Sequence, residues 1–127
     1  MPSRFETALA STGYAFQHWA WSHAPGGDYG VWREYSGEDL EADNVHAEQG
    51  TRCYVHLFTR DDSTAPRRKV EAALTSLRAA WRLESTQYEE DTGYIHFEWR
   101  VGLRGDLLEE ATENAQDQGR FPAAETL

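Results

Sequence analysis

Thr51-Arg52-Cys53-Tyr54-Val55-His56-Leu57-Phe58-Thr59 sets Cys53, Val55 and Leu57 on one side of an extended chain and Tyr54, His56 and Phe58 on the other. Bulk on both sides predicts a central strand covered on two faces. Just downstream, Asp61-Asp62-Ser63 leads into Thr64-Ala65-Pro66, a cap candidate with a first-turn proline. The spacing that follows predicts the main helix, running to about Trp81, with Val70, Ala73, Leu74, Leu77 and Trp81 inside about 100° of arc, the width of a core-facing stripe. On this reading Arg68, Arg78 and Arg82 lie beside the stripe. Arg67 and Lys69 crowd the N-terminus, where the helix dipole disfavours positive charge. The basic residues admit two readings: an ordinary solvated face, or an edge that meets an acidic surface on another subunit.

Beyond the helix, Leu83 to Glu90 and Tyr94 to Val101 flank Asp91-Thr92-Gly93, a hairpin signal. Ile95, Phe97, Trp99 and Val101 make a clean apolar face, whereas Tyr94, His96, Glu98 and Arg100 turn toward solvent or a partner. Gly102 and Gly105 are expected to end the strand, and Asp106 to cap a short helix through Leu107, Leu108 and Ala111. Upstream, Ser3 and Glu6 have capping-box spacing, and Phe5, Ala8, Leu9 and Thr12 recur with helical period until Gly13. Tyr14 to Trp21 and Tyr29 to Tyr35 alternate like strands around the turn cluster Ala24-Pro25-Gly26-Gly27-Asp28, which predicts a hairpin of antiparallel neighbours. Residues 37–50 are acidic and follow neither period, so a long exposed loop is expected there.

Together these elements predict an α+β fold: a small, mostly antiparallel sheet of about five strands, packed against one main helix plus short N- and C-terminal helices. A length of 127 residues suits one domain, 1–127, with residues 120–127 expected as a disordered tail. Trp 5, Tyr 6 and Phe 5 are expected to supply much of the buried area. No run approaches the roughly 20 apolar residues of a membrane helix, and no signal peptide is read, so the expectation is a cytosolic protein without a membrane partner. A net charge of −10, from 22 acids against 12 bases, disfavours direct binding to nucleic acid phosphates and also serves plain solubility.

Catalytic signatures are weak. His18, His23, His46, His56 and His96 show no H-x-x-x-H or H-E-x-x-H spacing that would converge them on an ion. His56 and His96 sit in strands that can become neighbours, but Cys53 points to the other face, which disfavours a Cys–His nucleophile. A buried, inert thiol is the default for this lone cysteine. The acids near 38–48 and 89–91 sit in a loop and at a hairpin tip, outside any obvious apolar pocket that would raise a pKa. Pro25-Gly26-Gly27 lacks the strand-to-helix setting of a phosphate loop, and Gly102-Leu103-Arg104-Gly105 is too short. Trp19, Trp21, Trp32 and Trp99 could line a cavity, though core filling is the commoner use of such rings. No enzyme activity, cofactor or metal is therefore expected.

A resemblance of arrangement adds to this reading. It rests on the N-terminal helix ending near Thr12-Gly13-Tyr14, the strand Tyr29-Gly30-Val31-Trp32, the segment Leu40-Glu41-Ala42-Asp43-Asn44, and the strand Tyr54-Val55-His56-Leu57-Phe58-Thr59. The helix from Arg67 to Trp81 and the pair running from Tyr88 to Trp99 follow in the same order. In that order the chain resembles the tail-terminator, or tail-completion, proteins of long-tailed bacteriophages and prophages, over about residues 3–102. The resemblance implies a structural protein, made in the host cytoplasm and carried in the virion tail. Its subunits would form a homo-oligomeric ring, often a hexamer, at the head-proximal end of the tail tube. The ring would stop tube polymerisation and dock to the head–tail connector, so the implied partners are the chain itself, the tail tube protein and the connector protein. Contacts would fall on Trp32, Tyr35, Leu40, Asp43, Asn44, His46, Arg67, Arg68 and Arg78. Rivals are another neck component such as a connector adaptor, a DNA-mimic inhibitor, and a small-ligand-binding domain or enzyme with its Trp and His residues in a cavity.

Overall fold

The strand of residues 51–59 occupies the middle of a five-stranded sheet in a computed structural model, which describes residues 2–35 and 50–109. Chain order is α1 (Arg4–Ala10), β1 (Ala15–His18), β2 (Tyr29–Glu34), β3 (Gly50–Thr59), α2 (Ala65–Ser76), β4 (Ala80–Glu89), β5 (Tyr94–Arg104) and a 3-10 turn (Gly105–Leu108). The strands lie in the order β1-β2-β3-β5-β4. This is the expected α+β arrangement, with a mostly antiparallel sheet of five strands and the helices on one face.

The helix-covered face is the core. Trp32, Cys53, Val55, Leu57, Phe97, Trp99, Val101 and Leu103 from the sheet meet Phe5 and Leu9 of α1, Val70 and Leu74 of α2, and Leu107. Alternation along β3 and β5 puts these residues on one side because successive strand side chains point to opposite faces. The expectation that β3 is covered on two sides is corrected: Tyr54, His56 and Phe58 stay half-buried, and no described element packs over them.

Local signals explain the ends of the elements. Ser3 Oγ accepts from the Glu6 amide at 3.1 Å while the Glu6 carboxylate accepts from the Ser3 amide at 2.9 Å, the reciprocal capping box. The main helix stops at Ser76 and does not reach Trp81. Its end is a Schellman motif: the Arg78 amide donates to Thr75 O at 2.9 Å and the Ala79 amide to Leu74 O at 3.2 Å. Arg78 takes the left-handed position at φ 60°, where glycine is usual, so the sequence carried no stop signal. Trp81 therefore belongs to β4, and Arg78 and Arg82 do not share a helix face with Arg68. Thr64 makes no side-chain cap; Ser63 Oγ accepts from the Ala65 amide instead, at 3.2 Å. The β4–β5 hairpin forms as expected around Gly93 at φ 79°. β5 continues through Gly102 to Arg104, and Asp106 pairs with Arg4 and Arg104 in the 3-10 turn without acting as its N-cap.

One expected pairing is reversed. β1 and β2 are parallel, Ala15 opposite Tyr29 and His18 opposite Trp32, and do not form an antiparallel hairpin. At Trp19, φ 77°, the Ala20 amide donates to His18 O at 3.0 Å, a γ-turn that bends the chain out of the sheet. The chain then travels back beside β2, with the Trp21 indole donating to Gly30 O at 2.9 Å, and enters β2 at Tyr29. Asp28 secures this return by accepting from Thr59 Oγ1 at 2.7 Å and from the Arg60 amide at 3.2 Å.

Candidate functional site

The sheet face opposite the helices carries the chemistry. Strand alternation places Tyr29, Val31 and Arg33 of β2, Tyr54, His56 and Phe58 of β3, and Tyr94, His96, Glu98 and Arg100 of β5 on it. These side chains touch one another laterally. Phe58 stacks on Tyr29 with ring centroids at 4.8 Å and on His96 at 4.2 Å, and Tyr54 lies 4.5 Å from Tyr35. The guanidinium of Arg33 sits 4.9 Å over the Tyr54 ring, with Arg100 on the same ring at 5.7 Å. Tyr94, expected on the solvent side, is 7% exposed because Arg60 covers its ring at 4.0 Å and its hydroxyl donates to Gly27 O at 2.8 Å.

At the centre of this face two histidines meet. His56 lies opposite Glu98 and His96 opposite Phe58, so the two imidazoles are diagonal neighbours across the β3–β5 ladder. His56 Nδ1 and His96 Nε2 are 2.8 Å apart, a distance at which one ring donates a proton to the other's lone pair. The second nitrogen of His96, Nδ1, faces Glu89 Oε2 at 3.7 Å. Burial drives the His56 pKa down to about 4, helped by His96 and the Arg33 guanidinium. Burial also lowers His96, against the opposing pull of Glu89 and Glu98. His56, His96 and Glu98 each bring a ligand atom within 4.8 Å of the others.

Cys53 takes no part. It is fully buried on the helix side of β3, and burial, with Glu34 nearby, pushes its thiol up to about 12, as suits an inert core residue. Trp99 and Trp32 fill the core at 0% and 4% exposure, and only Trp19, at 57%, stands open among the tryptophans singled out for a cavity.

The residues expected at subunit contacts scatter. Trp32 is enclosed between Phe5 and His18, whose ring stacks on it at 3.9 Å, so it is not an edge residue. Tyr35 is on the open face, beside Tyr54. Arg67 and Arg68 are exposed on α2, where Arg67 pairs with Glu71 at 2.8 Å, and Arg78 sits beyond its end. Leu40, Asp43, Asn44 and His46 lie outside the described residues. The sequence reading allowed His56 and His96 as neighbours but missed Glu98 opposite His56 and Glu89 beside His96. The only trace was the alternation that put His56 on the strand side opposite Cys53 and His96 with Glu98 on the polar side of the later strand.

A hollow of about 200 Å³ lies at one end of the same face, lined by Tyr35, Arg52, Arg82 and Arg100 together with residues 80–81 and 101–102. It falls below the roughly 300 Å³ at which pockets for drug-sized ligands begin. No described helix is long and apolar enough to cross a membrane. Searches against protein-family models, curated proteins and solved structures return no significant match to the chain.

Proposed function

We propose that the chain is a structural assembly protein without catalytic function, working as a tail-completion subunit that forms a ring at the head-proximal end of a phage tail tube and ends tube growth. The observation that carries the assembly reading is the open sheet face, where Tyr29, Tyr35, Tyr54, Phe58 and two histidines are interleaved with Arg33 and Arg100. Aromatic residues and arginine are the types enriched at protein interfaces, and lysine, depleted there, is absent from the described positions of this face. Their lateral stacking holds the rings in place before any partner arrives, which lowers the entropy lost on binding. A ring also needs two different complementary patches, and the exposed Arg67 and Arg68 of α2 offer a basic one to an otherwise acidic chain. The phage assignment itself rests on the resemblance in element order.

The test mixes the protein with the tube-forming protein of its own gene neighbourhood and measures tube lengths by electron microscopy, for the wild type and for Tyr54→Ser/Phe58→Ser. Tubes of limited length with a ring at one end, lost in the variant, are the expected result. Tubes unaffected by the wild-type protein refute the terminator role. Wild-type capping that survives the double substitution refutes the open face as the contact.

A further inference from the structure

We propose that His56 Nδ1, His96 Nε2 and the Glu98 carboxylate bind one divalent transition-metal ion on the open face of the sheet. This goes beyond the assembly reading, which needs no ion. Two imidazoles and a carboxylate form a donor set common to zinc, iron, nickel and copper sites. Adjacent ligands at about 2.05 Å from a metal lie about 2.9 Å apart at a right angle and about 3.3 Å apart in a tetrahedron. The two histidine nitrogens stand at 2.8 Å, so their spacing already fits a right-angled pair and needs to open by only about 0.5 Å for tetrahedral zinc. Glu98 is the flexible member: directly opposite His56 and half-buried, it closes the remaining gap by a side-chain rotation.

The surroundings favour the ion in two ways. Glu89, 3.7 Å from His96 Nδ1, favours the tautomer with its proton on Nδ1 and its lone pair on Nε2, toward His56. A carboxylate behind a ligating histidine is a common outer partner of metal sites. Phe58, stacked on His96, and Tyr54, 6.2 Å from His56, shield the rings laterally, while the open face leaves a path of entry and room for water at the other positions.

Isothermal titration of chelator-stripped protein with ZnCl2, NiCl2 and CuCl2 in turn tests the site. One saturable equivalent per chain is expected for at least one ion, weakened at least about tenfold by Glu98→Gln and abolished in His56→Gln/His96→Gln. Nuclear magnetic resonance of the wild type with Zn2+ makes the test independent of how the variants fold: the His56 Nδ1 and His96 Nε2 signals move, and those of His18 and His23 do not. Absence of saturable binding, binding retained in the double variant, or Zn2+ shifts confined to other histidines overturns the proposal.

Discussion

Replacing Gly30 by alanine probes the parallel β1–β2 pair. Gly30 faces Phe16 across that ladder, and a Cβ on it would lie 2.7 Å from Phe16 Cζ and closer still to two other ring carbons. Carbon atoms do not approach so closely, so the Phe16 ring has to swing away from the core residues it packs against. Overpacking of this kind costs about 1–3 kcal/mol, whereas replacing glycine in a strand returns about 0.5–1 kcal/mol of backbone entropy. The net expectation is a loss of about 1–2 kcal/mol, a drop in Tm of roughly 4–8 °C for a chain of this size. Calorimetry or urea unfolding of Gly30→Ala, Phe16→Leu and the double variant separates the clash from backbone effects. In the Phe16→Leu background the alanine is expected to be neutral or slightly stabilising, giving a coupling of about 1–2 kcal/mol. The reasoning fails if Gly30→Ala raises Tm by itself, or if its cost is the same in both backgrounds.

Glu71 accepts from the indole of fully buried Trp99 at 3.0 Å, so Glu71→Ala is expected to cost about 1–3 kcal/mol by orphaning that N–H. Glu71→Gln keeps an acceptor and is expected to cost under about 1 kcal/mol; equal losses in urea titrations would count against the bond. Arg78→Gly removes the left-handed penalty of about 1–2 kcal/mol while adding unfolded-state entropy, for a net gain of about 0.5–1 kcal/mol. A lower Tm for that variant would mean that the Schellman end is not as described. In metal-free protein, stability is expected to be fully present above pH 6.5 and to be lost as pH falls to about 4, because burial, and then His96 and Arg33, disfavour a charge on folded His56, while Glu89 and Glu98 oppose the same effect at His96. A shift of this size is worth at most ~3 kcal/mol, and solvent screening at a partly exposed ring cuts it to about 1–2 kcal/mol; His56→Gln should flatten the pH profile by that amount. Cys53 should resist a disulfide reagent in the native protein and react on unfolding, and comparable rates in both states would refute its burial.

Side-chain periodicity is a local property, and it located most of the elements without fixing their ends, their direction or their cover. The alternation in 51–59 and 94–101 identified two strands, and in the second also the apolar side, and Ser3 with Glu6 marked the start of α1, because these features depend on neighbours in sequence. The α+β class followed from the order of such elements. Features set by distant partners were not legible. Trp81 continued the helical stripe, yet Arg78 entered the left-handed region because Leu74 and Ala79 could then close against the core, a stop that no glycine announced. Alternation alone is blind to strand direction, so the parallel β1–β2 pair came from the γ-turn at Trp19 and the Asp28 anchor on β3. The histidine pair shows the same division. Alternation placed His56 on the side opposite Cys53 and His96 on the polar side of its strand, but they are 40 residues apart, and only the β3–β5 register, set by burial of the opposite face, brought their nitrogens to 2.8 Å with Glu98 beside them.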